Sequence, residues 1–225
     1  MKYEIPTVTK IEGGRRIAIG DIHGCLKTFK ALITTINPTK NDQIFILGDI
    51  IDKGKHSKEV IDVIMDFQTV GYSFHVVRGN HEQAFLSAYQ CGFEFFVTYL
   101  DQNQTDDFLD DLEKYLTFFS ELPYCLDLED WLVCHAPFLI NEQSLYRGME
   151  GLFPKINFKL DNLPAKKQVV GHVVETLEMI EAAITQKNQV ILLDSGCVYK
   201  NNEGLGYLSA LDLDSYELIT QENID

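Results

Sequence analysis

Arginine is scarce in this chain. Of its 225 residues only Arg15, Arg16, Arg78 and Arg147 are arginines, and the formal net charge is -15. That balance excludes a broad nucleic-acid face, because phosphate backbones are held by clustered Lys and Arg. It also disfavours docking on anionic lipid. Cysteines are few and odd in number (Cys25, Cys91, Cys125, Cys134 and Cys197), and no CxxC pair occurs. A disulfide framework or structural zinc site is therefore not expected, whereas buried free thiols in a reducing compartment are. No apolar run approaches the roughly 20 residues that span a bilayer. Residues 1–16 hold no apolar stretch of signal-peptide length. These absences lead to the expectation of a soluble, cytoplasmic protein with neither nucleic acid nor membrane as partner. Internal repeats and Pro-, Gly- or Ser-rich linkers are missing too, so a single domain over 1–225 is expected. What is present is a hydrophobic share of 45%, enough to build an ordinary core.

Three short apolar runs, 16–20, 43–47 and 74–77, are bounded by Gly and Asp and read as buried parallel strands. Between them, Leu26, Phe29, Ile33 and Ile36 recur at helical spacing, as do Val60, Val63, Ile64 and Phe67. Strand–helix–strand–helix–strand implies a parallel sheet with right-handed crossovers. The stretch from about 82 to 122 is helical and aromatic, with Phe108, Leu112, Tyr115, Phe119 and Leu122 on one face. Thr105 ahead of Asp106 and Asp107 suits a helix N-cap. Phe93, Phe95, Phe96 and Tyr99 read as packing residues. Runs at 124–128, 131–135, 168–171, 189–193 and 207–213 return to strand character. The expected fold class is α/β, with two packed mixed β-sheets flanked by helices in a four-layer αββα sandwich and a helical insert at about 82–122.

The chemistry gathers at the ends of the strands. The first run ends in Gly20-Asp21-Ile22-His23-Gly24, the second in Gly48-Asp49-Ile50-Ile51-Asp52-Lys53-Gly54, and the third in Arg78-Gly79-Asn80-His81-Glu82. Ligands of open α/β sheets bind just beyond the carboxyl ends of the strands. Side-by-side strands would thus bring Asp21, His23, Asp49, Asp52, Asn80 and His81 into one cleft. Two more of the six histidines, His135 and His172, also end expected strands. Carboxylates, imidazoles and one amide make a mixed hard and borderline donor set that suits Mn²⁺, Fe or Zn²⁺.

The ordered motifs Asp-x-His-Gly, Gly-Asp-x-x-Asp and Gly-Asn-His-Glu resemble the calcineurin-like metallophosphoesterases. The Arg-Gly-Asn-His-Glu form resembles their phosphoprotein phosphatase branch. That branch includes bacterial and phage serine/threonine phosphatases and the symmetrical dinucleoside-tetraphosphate hydrolases. The resemblance runs from about 17 to 213. It implies two divalent metal ions, Mn²⁺ first and Fe or Zn²⁺ as alternatives. Asp21 and His23 would bind the first ion, Asp49 would bridge both, and Asn80, His135 and His172 would complete the second. A metal-bridged hydroxide would then attack phosphorus. His81 would protonate the leaving oxygen and Asp52 would orient His81. Arg78, Arg147 and Lys53 would bind phosphate. Lys53 stands where the family usually has Arg and gives up the bidentate fork. Pro137 and Val173 replace the usual Gly and Thr after two of the histidines.

The function these features imply is hydrolysis of a phosphate ester, on a serine or threonine phosphoprotein in the first instance. The alternatives are a dinucleoside tetraphosphate or other small phosphorylated substrate and, further off, a metal-binding scaffold without catalysis.

Overall fold

Strand β1 (Arg16–Ile19) lies fully buried at the centre of the first sheet, flanked by partners of both directions. A computed structural model describes residues 5–137 and 165–225. On one side of β1 run β2 (Gln43–Ile46) and β3 (Ser73–Val76), both parallel, in register Ile17↔Ile44 and Ile44↔Phe74. On the other side β8 (Tyr207–Asp212) and β9 (Leu218–Glu222) run antiparallel, giving the order β3-β2-β1-β8-β9. The second sheet has the order β4-β5-β6-β7, formed by Cys125–Asp127, Trp131–Cys134, Lys167–Val174 and Val190–Asp194. Only β4 is antiparallel to its neighbour there. Both sheets are mixed, as the sequence predicts.

The parallel strands are joined by α1 (Leu26–Ile36) and α2 (Ser57–Thr69). The aromatic segment folds as α3 (Asn80–Gln90), α4 (Phe93–Asn103), a 3-10 turn (Asp106–Asp111) and α5 (Leu112–Glu121). One apolar cluster joins α1–α5 to the outer face of the first sheet, with Phe29, Ile61, Phe85, Phe96, Phe108 and Phe119 at its heart. A second cluster fills the space between the sheets, where Ala18, Phe45 and Leu211 meet Trp131, Val169 and Leu193. Helix α6 (Leu177–Thr185) packs beside β7 and sends Ile180 and Ile184 into that inter-sheet core. No helix among the described residues is long and apolar enough to cross a membrane.

Three local expectations need correction. Thr105 does not cap the segment after it with its side chain, which donates to Leu100 O instead. Phe93 and Phe95 are exposed rather than packed, while Phe96 is buried. Cys125 and Cys134 are not free thiols but a disulfide across the β4–β5 hairpin, and Cys91 is exposed. Cysteine count and spacing carry no information on cross-strand register, and register is what faces these two residues towards each other.

Candidate metal centre

The loops that leave β1, β2 and β3 are tied to one another before any ligand is considered. Ile22 N and His23 N both donate to Asp49 O, at 3.2 and 2.9 Å, and Gly24 N donates to Ile50 O. The buried Glu82 carboxylate accepts Asp49 N at 3.0 Å, Ile50 N at 2.9 Å and Gly79 N at 2.7 Å. Burial and nearby Asp49 push its carboxyl up to about 7, against the pull of these main-chain donors. The backbone is held in costly conformations here. Of nine described non-glycine residues with left-handed φ, five are His23, Asp49, Asp52, Lys53 and His172. Such strain persists only where the surroundings over-determine it. Gly79 is required by proximity, since a Cβ there would collide with the Asp49 carboxylate.

The tethered loops bring the donors together. Two sets of carboxylate and imidazole ligand atoms converge, each within 4.8 Å: His23, Asp49 and His81, then Asp49, His135 and His172. Asp49 Oδ2 is shared, at 3.7 Å from His23 Nε2 and 3.5 Å from His135 Nε2. The Asn80 amide joins the second set, its Oδ1 lying 2.7 Å from His172 Nδ1 and 2.9 Å from His135 Nε2. The imidazole tautomers follow from what lies behind the rings. His23 Nδ1 faces Ile51 O at 2.9 Å and His135 Nδ1 faces Leu47 O at 2.8 Å. A carbonyl oxygen only accepts, so each Nδ1 carries the proton and each Nε2 turns a lone pair inward. Burial lowers the His23 imidazole to about 3 and that of His172 to about 4, keeping both neutral as ligands must be.

The charge balance calls for a cation. Asp21, Asp49, Asp52, Glu82 and Asp194 are all buried around this point. The Asp21 carboxyl is raised well above the usual range, first by burial, then by Asp194 and Asp49. The Asp194 carboxyl is raised by burial to about 6, although Gly196 N donates to it at 2.8 Å. The Lys53 ammonium is the cation these carboxyls meet, and it lies 2.8 Å from His23 Nε2. Buried like charges of this number are tolerated when a metal neutralises them. The donor set therefore fits two divalent ions sharing Asp49.

A chain of hydrogen bonds lies beside the donors. His81 Nδ1 donates to Asp52 Oδ2 at 2.6 Å, and Tyr99 OH donates to the same oxygen at 2.8 Å. Asp52 Oδ1 is buried with no partner. Burial would lower the His81 pKa, but the Asp52 hydrogen bond and Asp49 outweigh it, and the net direction is upward. His81 N also donates to Asp49 Oδ1 at 3.0 Å, through the first turn of α3.

The structure thus gathers His23, Asp49, Asp52, Asn80, His81, His135 and His172. Asp21 stands alongside. Its carboxylate accepts His172 N at 3.1–3.2 Å and lies outside the two convergent sets. Lys53 reaches the site, whereas Arg78 turns elsewhere. Its guanidinium donates to Gln83 Oε1, Tyr124 OH and Ser120 O, and packs 4.7 Å from the Tyr124 ring centroid. Arg147 lies outside the described residues. Three side chains at the centre go beyond those singled out from the sequence. Glu82 sits in a motif that could have flagged it, and Asp194 ends a strand as the others do. Tyr99 gave no signal, because helical spacing suits packing and reaching equally well.

Comparison with known proteins agrees with this geometry. The family model for calcineurin-like phosphoesterases matches residues 14–183. A symmetrical bis(5'-nucleosyl)-tetraphosphatase of Vibrio campbellii is 28% identical over 121 residues, which are 52% of this chain and 42% of that protein. The corresponding enzyme of Buchnera aphidicola from Acyrthosiphon pisum is 24% identical over 199 residues, 87% of this chain and 61% of its own length. The chain thus covers less than two thirds of either relative. A serine/threonine phosphatase structure from Saccharomyces cerevisiae shares the fold, with a TM-score of 0.69 at 17% identity and coverage of 98% of this chain and 84% of that one. With the family model matched over most of its length, the chain belongs to the calcineurin-like phosphoesterase family.

Proposed function

We propose that the protein is a hydrolase of phosphate esters that works with two divalent ions, Mn²⁺ being the first choice. The observation that carries this reading is the convergence of His23, His81, His135 and His172 on one buried carboxylate, Asp49. Asp21 and His23 would hold one ion, Asn80, His135 and His172 the other, and Asp49 both. Such a pair supplies Lewis-acid activation of water and of the phosphoryl group. The protein's own groups do the rest. His81, whose protonated form the Asp52 hydrogen bond favours, donates a proton to the departing oxygen. Asp52, braced by Tyr99, holds the imidazole in the tautomer and orientation that this transfer needs. Among the described residues, the Lys53 ammonium is the cationic donor at hand for a phosphate oxygen.

Two substrate readings have support. The Arg78-Gly79-Asn80-His81-Glu82 form suits a serine or threonine phosphoprotein, as it suits the tetraphosphate hydrolases of the same branch. The activity named for the curated relatives favours a dinucleoside tetraphosphate. The test of the reaction itself is hydrolysis of p-nitrophenyl phosphate by metal-stripped protein, with and without Mn²⁺. Turnover that appears only with the metal supports the hydrolase reading. Silence with Mn²⁺, Fe²⁺ and Zn²⁺ alike would sink it for simple esters and favour a binding role.

A further inference from the structure

The three described arginines are all committed within the protein. Arg15 holds Asp42, Arg16 holds Asp130 and Asp214, and Arg78 donates to Gln83, Tyr124 and Ser120. Among the described residues, recognition of further phosphate charge therefore falls to lysine. Four of the chain's 15 lysines line one cavity of about 440 Å³: Lys27, Lys53, Lys55 and Lys200. In a chain with a net charge of -15 this concentration runs against the composition. His56 also lines the cavity. The acidic residue on its wall, Asp225, has its carboxylate engaged by Lys27 N, Thr28 N and Thr28 Oγ1, at 3.0, 2.9 and 2.6 Å. Lys200 donates to the Asp225 main-chain oxygen.

The cavity adjoins the metal centre through a shared side chain. Lys53 lines it, yet its ammonium lies 2.8 Å from His23 Nε2. For a phosphate bound by ions at Asp49, the next phosphates of a condensed chain come within reach of Lys53 and, beyond it, of the lysine cavity. A phosphomonoester has no second group to place there. We infer that this cavity is a subsite for the phosphates beyond the scissile one, so that the site prefers esters of a condensed phosphate chain to simple monoesters. This rests on the hydrolase reading above for its catalytic consequence, but not for binding.

The test uses the full chain and a Lys55→Ala/Lys200→Ala variant, which spares Lys53. Inorganic tripolyphosphate is titrated calorimetrically into each protein without added metal. Turnover of diadenosine tetraphosphate and of p-nitrophenyl phosphate is then measured with Mn²⁺. Each lost ammonium–phosphate contact is expected to weaken binding about tenfold. The variant should accordingly bind tripolyphosphate about 100-fold more weakly and lose a similar factor in kcat/KM on the tetraphosphate, with a much smaller change on the monoester. No tripolyphosphate binding by the unaltered chain, equal binding by both proteins, or equal slowing on both esters would overturn the inference. If no ester is hydrolysed by either protein, the hydrolase reading fails while the titration still decides the cavity.

Discussion

Two donors meet on a single oxygen at Asp52. His81 Nδ1 and Tyr99 OH both approach Oδ2, and the other oxygen has no partner. The tyrosine fixes where the carboxylate lies, and the carboxylate fixes the imidazole. Removing the hydroxyl by Tyr99→Phe should cost about 1 kcal/mol at this contact, or about fivefold in turnover. The loss should be larger for poor leaving groups than for p-nitrophenol, because it acts on proton donation. His81→Ala should show the same leaving-group dependence at about 10²-fold or more. Both variants should bind Mn²⁺ as before, since both keep Asp21, His23, Asp49, Asn80, His135 and His172, the residues assigned to the ions. A uniform slowing of all esters by Tyr99→Phe would show that the tyrosine supports packing alone.

At the scale of elements, the loop that feeds β2 is held by one carboxylate. Asp42 accepts Arg15 N at 2.8 Å, Thr39 N at 2.8 Å and the Arg15 guanidinium at 2.9 Å. Burial alone would raise its pKa, but these donors hold it well below the usual carboxylate value. A depressed pKa in the folded state means that Asp42 stabilises the fold above the ordinary value of 3.8, and that this contribution is lost as the pH falls below it. Asp42→Asn should therefore lower stability by about 2 kcal/mol at neutral pH. It should also flatten the acid side of the stability curve between about pH 4 and pH 2, as urea unfolding would show. An unaltered acid slope would mean that other carboxylates govern it.

The same scale shows what could be read in advance. The parallel strands were legible because each is a short apolar run closed by Gly and Asp, and their polar ends named most of the centre. Helix α6 and edge strand β9 were not anticipated. The half-buried alternation of β9 is faint, as edge strands often are. Tyr99 and the Cys125–Cys134 pair were hidden for a common reason. Both depend on which way a residue faces once distant segments have met.

For the whole molecule, the decisive fact is that the centre draws on both sheets. Asp21, His23, Asp49, Asp52, Asn80 and His81 follow strands of the first sheet, while His135 follows β5 and His172 lies within β6 of the second. Ions that bind these donors together bind only the assembled sandwich. Chelation should thus lower the thermal midpoint, by about 10 °C for each ion present at 10³ times its dissociation constant. Scanning calorimetry with and without a chelator measures this. An unchanged midpoint would mean that the donors do not hold a metal.

Strand β6 has a length that its neighbour does not match. From Val170 to Val174 it takes four steps, while β7 takes two, from Leu192 to Asp194. The two surplus residues make room for Gly171 and His172. Excising that pair would leave Val173 and Val174 to continue the ladder opposite Leu193 and Asp194, with no core side chain removed. One short deletion would thus leave the ladder of the second sheet in place while taking an imidazole out of the second set of donors.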